Sequence, residues 1–144
     1  MKWILVLMLS LALDAWAQRS KDPDHLKMVY KLAPAVYDVK GMGNWKKGRE
    51  SGQIRLVIAR THKRDEVYLQ WVKWDTDGPV EVKSTVLINE IQDAANFKTT
   101  FIRRETIDGK RQIVLGLENH YDKMPSRIAL EVLDVGRYQS RFLD

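Results

Sequence analysis

The residues best equipped for chemistry sit in one short run, Gly41-Met42-Gly43-Asn44-Trp45-Lys46-Lys47-Gly48. Its glycines let the backbone bend. The Trp45 indole offers a flat face to a sugar or a lipid headgroup, and Lys46 and Lys47 supply charge for an anion. This is not a phosphate loop, because no Gly-Lys-Ser/Thr follows the glycines and no helical pattern opens behind them. The competing interpretation is a flexible connector whose Trp45 folds back over the core. Other basic residues gather at predicted hairpin tips. Arg60, His62, Lys63 and Arg64 form one group; Arg103, Arg104, Lys110 and Arg111 form another around Asp108-Gly109. If both tips lie at the same end of the fold, they make one cationic patch. The alternative is edge protection, since lysine and arginine on exposed strands oppose edge-to-edge pairing. The candidate ligand-binding set is Trp45, Lys46, Lys47, Arg103, Arg104 and Arg111.

Catalytic and metal signatures are missing. The chain has no cysteine, no serine in a Gly-x-Ser-x-Gly elbow and no His-Glu-x-x-His helix. Glu105 and Glu118 lie on neighbouring predicted strands and are the carboxylates an envelope hydrolase would need, with His120 as a helper. His120 and Asp122 are two residues apart, but a zinc site needs three or four ligands, and His25 and His62 are distant in sequence. Asp75, Asp77 and Gly78 begin like a calcium loop, which Pro79-Val80 then breaks off. No catalytic residue, metal ligand or cofactor site is assigned.

The elements that would hold these side chains are mostly strands. Asp22-Pro23-Asp24 with Leu26, Val29, Tyr30 and Ala33 predicts a short helix, capped by Asp22 and stopped by Pro34. From Ala35 the apolar period falls to two. Strands are predicted over 35–40, 53–60, 66–74, 80–91, 97–106, 110–117, 127–133 and 136–142. Val67, Leu69 and Trp71 face one way, and Tyr68, Val72 and Trp74 the other. In the 80–91 segment Val80, Val82, Val86 and Ile88 are expected to face inward. Asp108-Gly109 is the strongest hairpin signal, because both positions suit the positive φ angles of a type I′ turn. Asp93–Asn96 suggests a helical turn where the chain crosses between sheets. Alternation with one apolar and one polar face argues for antiparallel sheets. The expected fold is mainly all-β: an antiparallel β-sandwich or barrel of seven to eight strands with one short N-terminal helix.

The first residues read as an export signal. Lys2, the uncharged run Trp3–Leu13 and the small-x-small Ala15-Trp16-Ala17 predict a signal peptide over 1–17, with residues 18–144 forming a single β-rich domain. The run is short for a membrane span, and no later stretch has the needed length. A cysteine-free exported domain suits a bacterial periplasm or medium better than a disulfide-rich eukaryotic secretory route. The net charge of +5 favours acidic partners such as anionic lipid or polysaccharide. The expectation is therefore a periplasmic or secreted bacterial protein that acts by binding an envelope component or another exported protein. Nucleic acid is not expected as a partner. The alternatives are a carboxylate-dependent envelope hydrolase and a subunit of an envelope assembly.

Overall fold

In the computed structural model, residues 33–73, 81–94 and 97–143 are described. The predicted signal peptide, the predicted N-terminal helix, Trp74 and the Asp75–Pro79 turn lie outside them. The described residues form eight strands and one short helix. In chain order these are β1 (Val36–Lys47), β2 (Glu50–Arg60), β3 (Asp65–Lys73), β4 (Glu81–Leu87), α1 (Asn89–Ala94), β5 (Phe97–Ile107), β6 (Lys110–Asn119), β7 (Pro125–Asp134) and β8 (Arg137–Leu143). Strands β1–β4 make one antiparallel meander, and β5–β8 make a second. Among the described residues no ladder joins the two sheets, so the fold is a β-sandwich rather than a closed barrel. Helix α1 carries the chain from one sheet to the other. It begins at Asn89, so the predicted strand 80–91 is in fact a strand followed by a helix.

The core fills the space between the sheets. Ile54, Leu56, Ile58, Val67, Leu69 and Trp71 come from the first sheet; Ile113, Leu115, Leu117, Ile128 and Leu130 come from the second. These are the apolar positions of the period-two runs, as expected for strands buried on one face. The predicted hairpin is formed: Ile107 pairs with Lys110, and Asp108 and Gly109 take φ of 51° and 75°. The same economy recurs at Val135-Gly136, where Gly136 has φ 73°.

The ladders of the described residues carry five register shifts, and those in the middle of β1, in β4 and in β5 bear on the site. Between Gly41 and Asn44, β1 sets Met42 and Gly43 against Ile54 alone. The extra residue turns both Met42 and Trp45 inward, although an odd spacing separates them. In β4, Lys83 is extra between Val82 and Ser84. Val82 is therefore 48% exposed, opposite Val72 on the outer face, and not inward as the alternation predicts. In β5, Ile102 is extra between Phe101 and Arg103. That bulge decides which way the neighbouring arginines face.

The layers are tied by buried polar bonds as well as apolar contact. Asp65 is 3% exposed; it accepts from the Nε–H and one Nη–H of Arg60 at 2.8 and 2.9 Å and from the Thr99 backbone N–H at 2.7 Å. Towards the other edge, the Glu90 carboxylate of α1 accepts the Tyr138 and Ser140 hydroxyls of β8, each at 2.7 Å. The carboxylates of Asp65 and Glu90 are satisfied in these two ties, which is what makes such ties stabilising.

Candidate anion-binding cleft

The proposed loop 41–48 is the second half of β1 and the start of the turn into β2. Its tryptophan does not stand free. Trp45 is 8% exposed, and its indole N–H donates to the Val72 carbonyl at 3.0 Å. To reach β3 the ring crosses its register partner Gly52. A methyl group on Gly52 would lie 1.8 Å from the Val72 carbonyl oxygen and 2.7 Å from the Trp45 indole nitrogen, so only glycine fits there. Of the two sequence interpretations for Trp45, the structure takes the one in which it folds back over the core.

Beside this tryptophan, at the end where the β1–β2, β5–β6 and β7–β8 turns meet, lies a cleft of about 590 Å³. Trp45, Ile54, Trp71 and Val132 form its apolar part; Lys46, Lys110 and Arg111 bring positive charge; Glu131 and Asp134 bring negative charge. Both carboxylates are held by lysines. Glu131 lies 3.3 Å from Lys110, and Asp134 lies 3.0 Å from Lys47. The Val135 backbone N–H, donating at 2.7 Å, and then Lys47 hold the Asp134 carboxyl below its ordinary range. The Trp71 indole N–H is buried with no hydrogen-bond acceptor among the described residues.

Arg111 is handled differently. It faces inward in the row of Ile113, and its guanidinium packs over Gly43, where a methyl group would meet its Cζ at 3.3 Å. One of its nitrogens donates to the Asn44 carbonyl at 2.9 Å. No carboxylate pairs with it among the described residues. Desolvation, and then repulsion from Arg104, push its pKa below the ordinary arginine value. Arg104 is on that side because of the bulge at Ile102, which sets it opposite Ile113. The same bulge sends Arg103 to the outer face opposite Val114, where Glu105 holds it at 2.9 Å.

Of the six sequence candidates, then, Trp45, Lys46 and Arg111 line one cleft, Lys47 ties its edge, Arg104 flanks Arg111, and Arg103 belongs to another face. The structure adds Lys110, Glu131, Asp134 and Trp71. Lys110 and Arg111 follow directly from the type I′ hairpin; Glu131 and Asp134 come from β7 and carry no sequence signal linking them to β1.

The two basic tips do not form one patch. The 61–64 turn lies at the far end of β2 from the Gly48-Arg49 turn, whereas Asp108-Gly109 lies at the cleft end. Glu105 and Glu118 are also apart, facing Gln112 and Lys98 at opposite ends of the β5–β6 ladder. His120, Asp122 and Glu118 are all exposed and engaged separately. His120 meets the Tyr121 ring edge-on, Asp122 accepts the Met124 N–H at 2.9 Å, and Glu118 lies 3.8 Å from Lys123. Among the described residues, no group of three histidine or carboxylate side chains is placed to share a metal, and no helix is long and apolar enough to cross a membrane. In comparisons with known proteins, no family model, no curated protein and no solved structure matches the chain.

Proposed function

We propose that this is an exported bacterial binding protein, periplasmic or secreted, whose cleft receives an anionic group of an envelope component. The observation that carries the reading is Arg111. A partly buried cation that has lost water, faces a second arginine and has no carboxylate partner gains more from an incoming anion than a paired surface cation does. Lys46 and Arg104 add attraction from the cleft edge. Trp45 and Val132 supply apolar wall for whatever carries the charge, so the ring acts as lining and not as an open stacking platform. The test is binding to anionic vesicles and to lipopolysaccharide at low and high salt. Exposed contacts fade as the screening length shrinks from about 10 Å at 0.1 M to about 3 Å at 1 M. Binding that falls with salt, and falls further in Arg104→Glu/Arg111→Gln at an unchanged melting temperature, supports the reading. Absence of binding by the wild type at low salt overturns it.

A second reading, attachment to another exported protein, is favoured by the outer face of the first sheet. Val39, Val57, Tyr68 and Leu87 form one apolar row across all four strands. Val39 is 43% exposed, and Tyr68 donates its hydroxyl to Glu66 at 2.7 Å. Retention of the binding partner by an Arg104→Glu/Arg111→Gln variant, and its loss in Val39→Asp, would move the function to that face.

A further inference from the structure

The end of the sandwich away from the cleft is also cationic, and it is built from different residues. A smaller cavity there, about 230 Å³, is bordered by Lys63 and Arg64 of the β2–β3 turn and by Lys98 at the start of β5. The carboxylates nearby are already committed. Asp65 is buried under the two-pronged Arg60 contact and the Thr99 N–H. Glu118, opposite Lys98 in the ladder, has Lys123 at 3.8 Å. Lys63, Arg64 and Lys98 are exposed and make no ion pair among the described residues. The turn that carries them is fixed and not a loose tip. Thr61 donates its backbone N–H at 3.0 Å and its hydroxyl at 2.8 Å to the Arg64 carbonyl, and the hydroxyl oxygen accepts the Arg64 N–H at 3.3 Å.

We infer that this end is a second, independent pole for anions, so that one molecule bridges two anionic lipid surfaces. The part of the inference that concerns the first pole rests on the function proposed above. The geometry of β2 sets the span. Its 11 residues run from the cleft end to the 61–64 turn, which at the rise of a strand is roughly 34 Å. That is several times the screening length of about 8 Å at physiological ionic strength, so charge at one pole neither aids nor opposes binding at the other. The two poles therefore cannot serve one flat surface as a single patch. A lipid leaflet is the partner that suits the second pole, because exposed lysine and arginine side chains around a shallow cavity sum their attraction over a dense layer of headgroups without needing a deep pocket.

The experiment uses vesicles of phosphatidylglycerol and phosphatidylcholine in equal parts, at low salt, with two readouts on the same samples: protein sedimenting with vesicles, and vesicle clustering by light scattering. The wild type is expected to do both. Lys63→Glu/Arg64→Glu/Lys98→Glu is expected to sediment through the cleft end while clustering is lost. If that variant fails to fold, Lys63→Glu/Arg64→Glu, confined to a turn, gives the same comparison. A variant that binds and still clusters vesicles as the wild type does overturns the inference, as does a wild type that sediments without clustering. The two ideas fail separately. If Arg104→Glu/Arg111→Gln sediments undiminished and Lys63→Glu/Arg64→Glu does not sediment, the cleft reading falls and the second pole stands alone.

Discussion

On β2–β4, Lys73 and Lys83 share Glu50 and Glu81 over contacts of 3.0 to 3.6 Å. On β5–β6, at the same end of the sandwich, Arg104 and Arg111 repel each other and, among the described residues, have no carboxylate partner. The first group is electrically closed. Lys83 holds both glutamates below their ordinary pKa, chiefly by hydrogen bonds, and the same hydrogen bonds, more than the glutamates' charge, raise the pKa of Lys83. The second group leaves positive charge over, at the edge of a cleft with apolar walls. A closed network offers a ligand nothing. An open one costs stability in the free protein and returns it when an anion arrives, which is how a binding surface differs from ordinary surface charge.

The comparison breaks most severely if the shared wall is removed. Gly52→Ala sets a methyl group against the Val72 carbonyl and the Trp45 indole, so either the β2–β3 ladder parts or Trp45 swings out. Overpacking of this kind is expected to lower stability by about 3 kcal/mol or more, at the upper end for a single substitution. Chemical denaturation measures it. A variant as stable as the wild type would mean that Trp45 is not anchored on β3, and the account of the cleft wall would go with it.

Gly43→Ala should act on the open group alone. Gly43 has φ 98°, and a side chain there meets the Arg111 guanidinium at 3.3 Å. Backbone strain of this type costs about 1–3 kcal/mol. Because Arg111 loses its seat, anion binding should fall by more than the stability loss explains. The matched network lies on other strands and should keep its pH response. Unchanged vesicle binding in a folded Gly43→Ala protein would detach Arg111 from function.

Much of this arrangement can be read from the sequence, up to the point where a bulge intervenes. The alternation at Ile54, Leu56 and Ile58 and at Val67, Leu69 and Trp71 identifies strands and their buried faces, because a half-buried strand has no other way to sort its side chains. Asp108-Gly109 identifies a hairpin through its backbone chemistry. A bulge leaves no comparable trace. Nothing local marks Ile102 as the extra residue of β5, yet it alone decides that Arg104 and not Arg103 joins Arg111. The same is true of Met42 with Gly43, which make 41–47 look like a loop, and of Lys83, which turns Val82 outward. The cleft also sets Asp134 of β7 against Lys47 of β1, and pairing of that sequence separation depends on how the sheets stack. The six binding candidates share a charge and an aromatic character; which of them meet is a matter of register.

Neutralising one member of each group should shift stability in opposite directions. Arg104→Gln removes a repulsion and is expected to raise stability by about 0.2–0.5 kcal/mol at low salt, the scale of exposed like-charge pairs. Lys83→Gln opens the closed network, leaves Lys73 alone to balance Glu50 and Glu81, and should lower stability. Both shifts should shrink in high salt. If both variants move the same way in paired thermal melts at low ionic strength, the division into open and closed groups is wrong.

The smallest effect is the pH dependence of that difference, and it follows from which groups can titrate. The folded pKa values of Glu50 and Glu81 lie below the ordinary 4.5, through hydrogen bonds from Lys83 first. A carboxylate whose pKa is depressed on folding binds fewer protons in the folded state than in the unfolded chain. Its contribution is therefore complete above the unfolded value and is lost as the pH falls through the folded one. The stability gap between wild type and Lys83→Gln should accordingly stay level from neutral pH down to about pH 5 and narrow below that, closing once both carboxylates are protonated in the folded protein. Arginine does not titrate in this range, so the gap between wild type and Arg104→Gln should stay the same over the whole interval. Both gaps come from the same melts, so general acid destabilisation, including that from Asp134 and Glu90 with their own lowered values, cancels in each difference. A Lys83→Gln gap that does not narrow with acid at all would place its origin in packing of the lysine stem. An Arg104→Gln gap that closes with acid would reveal a carboxylate partner for Arg104, and the open group would then be open no longer.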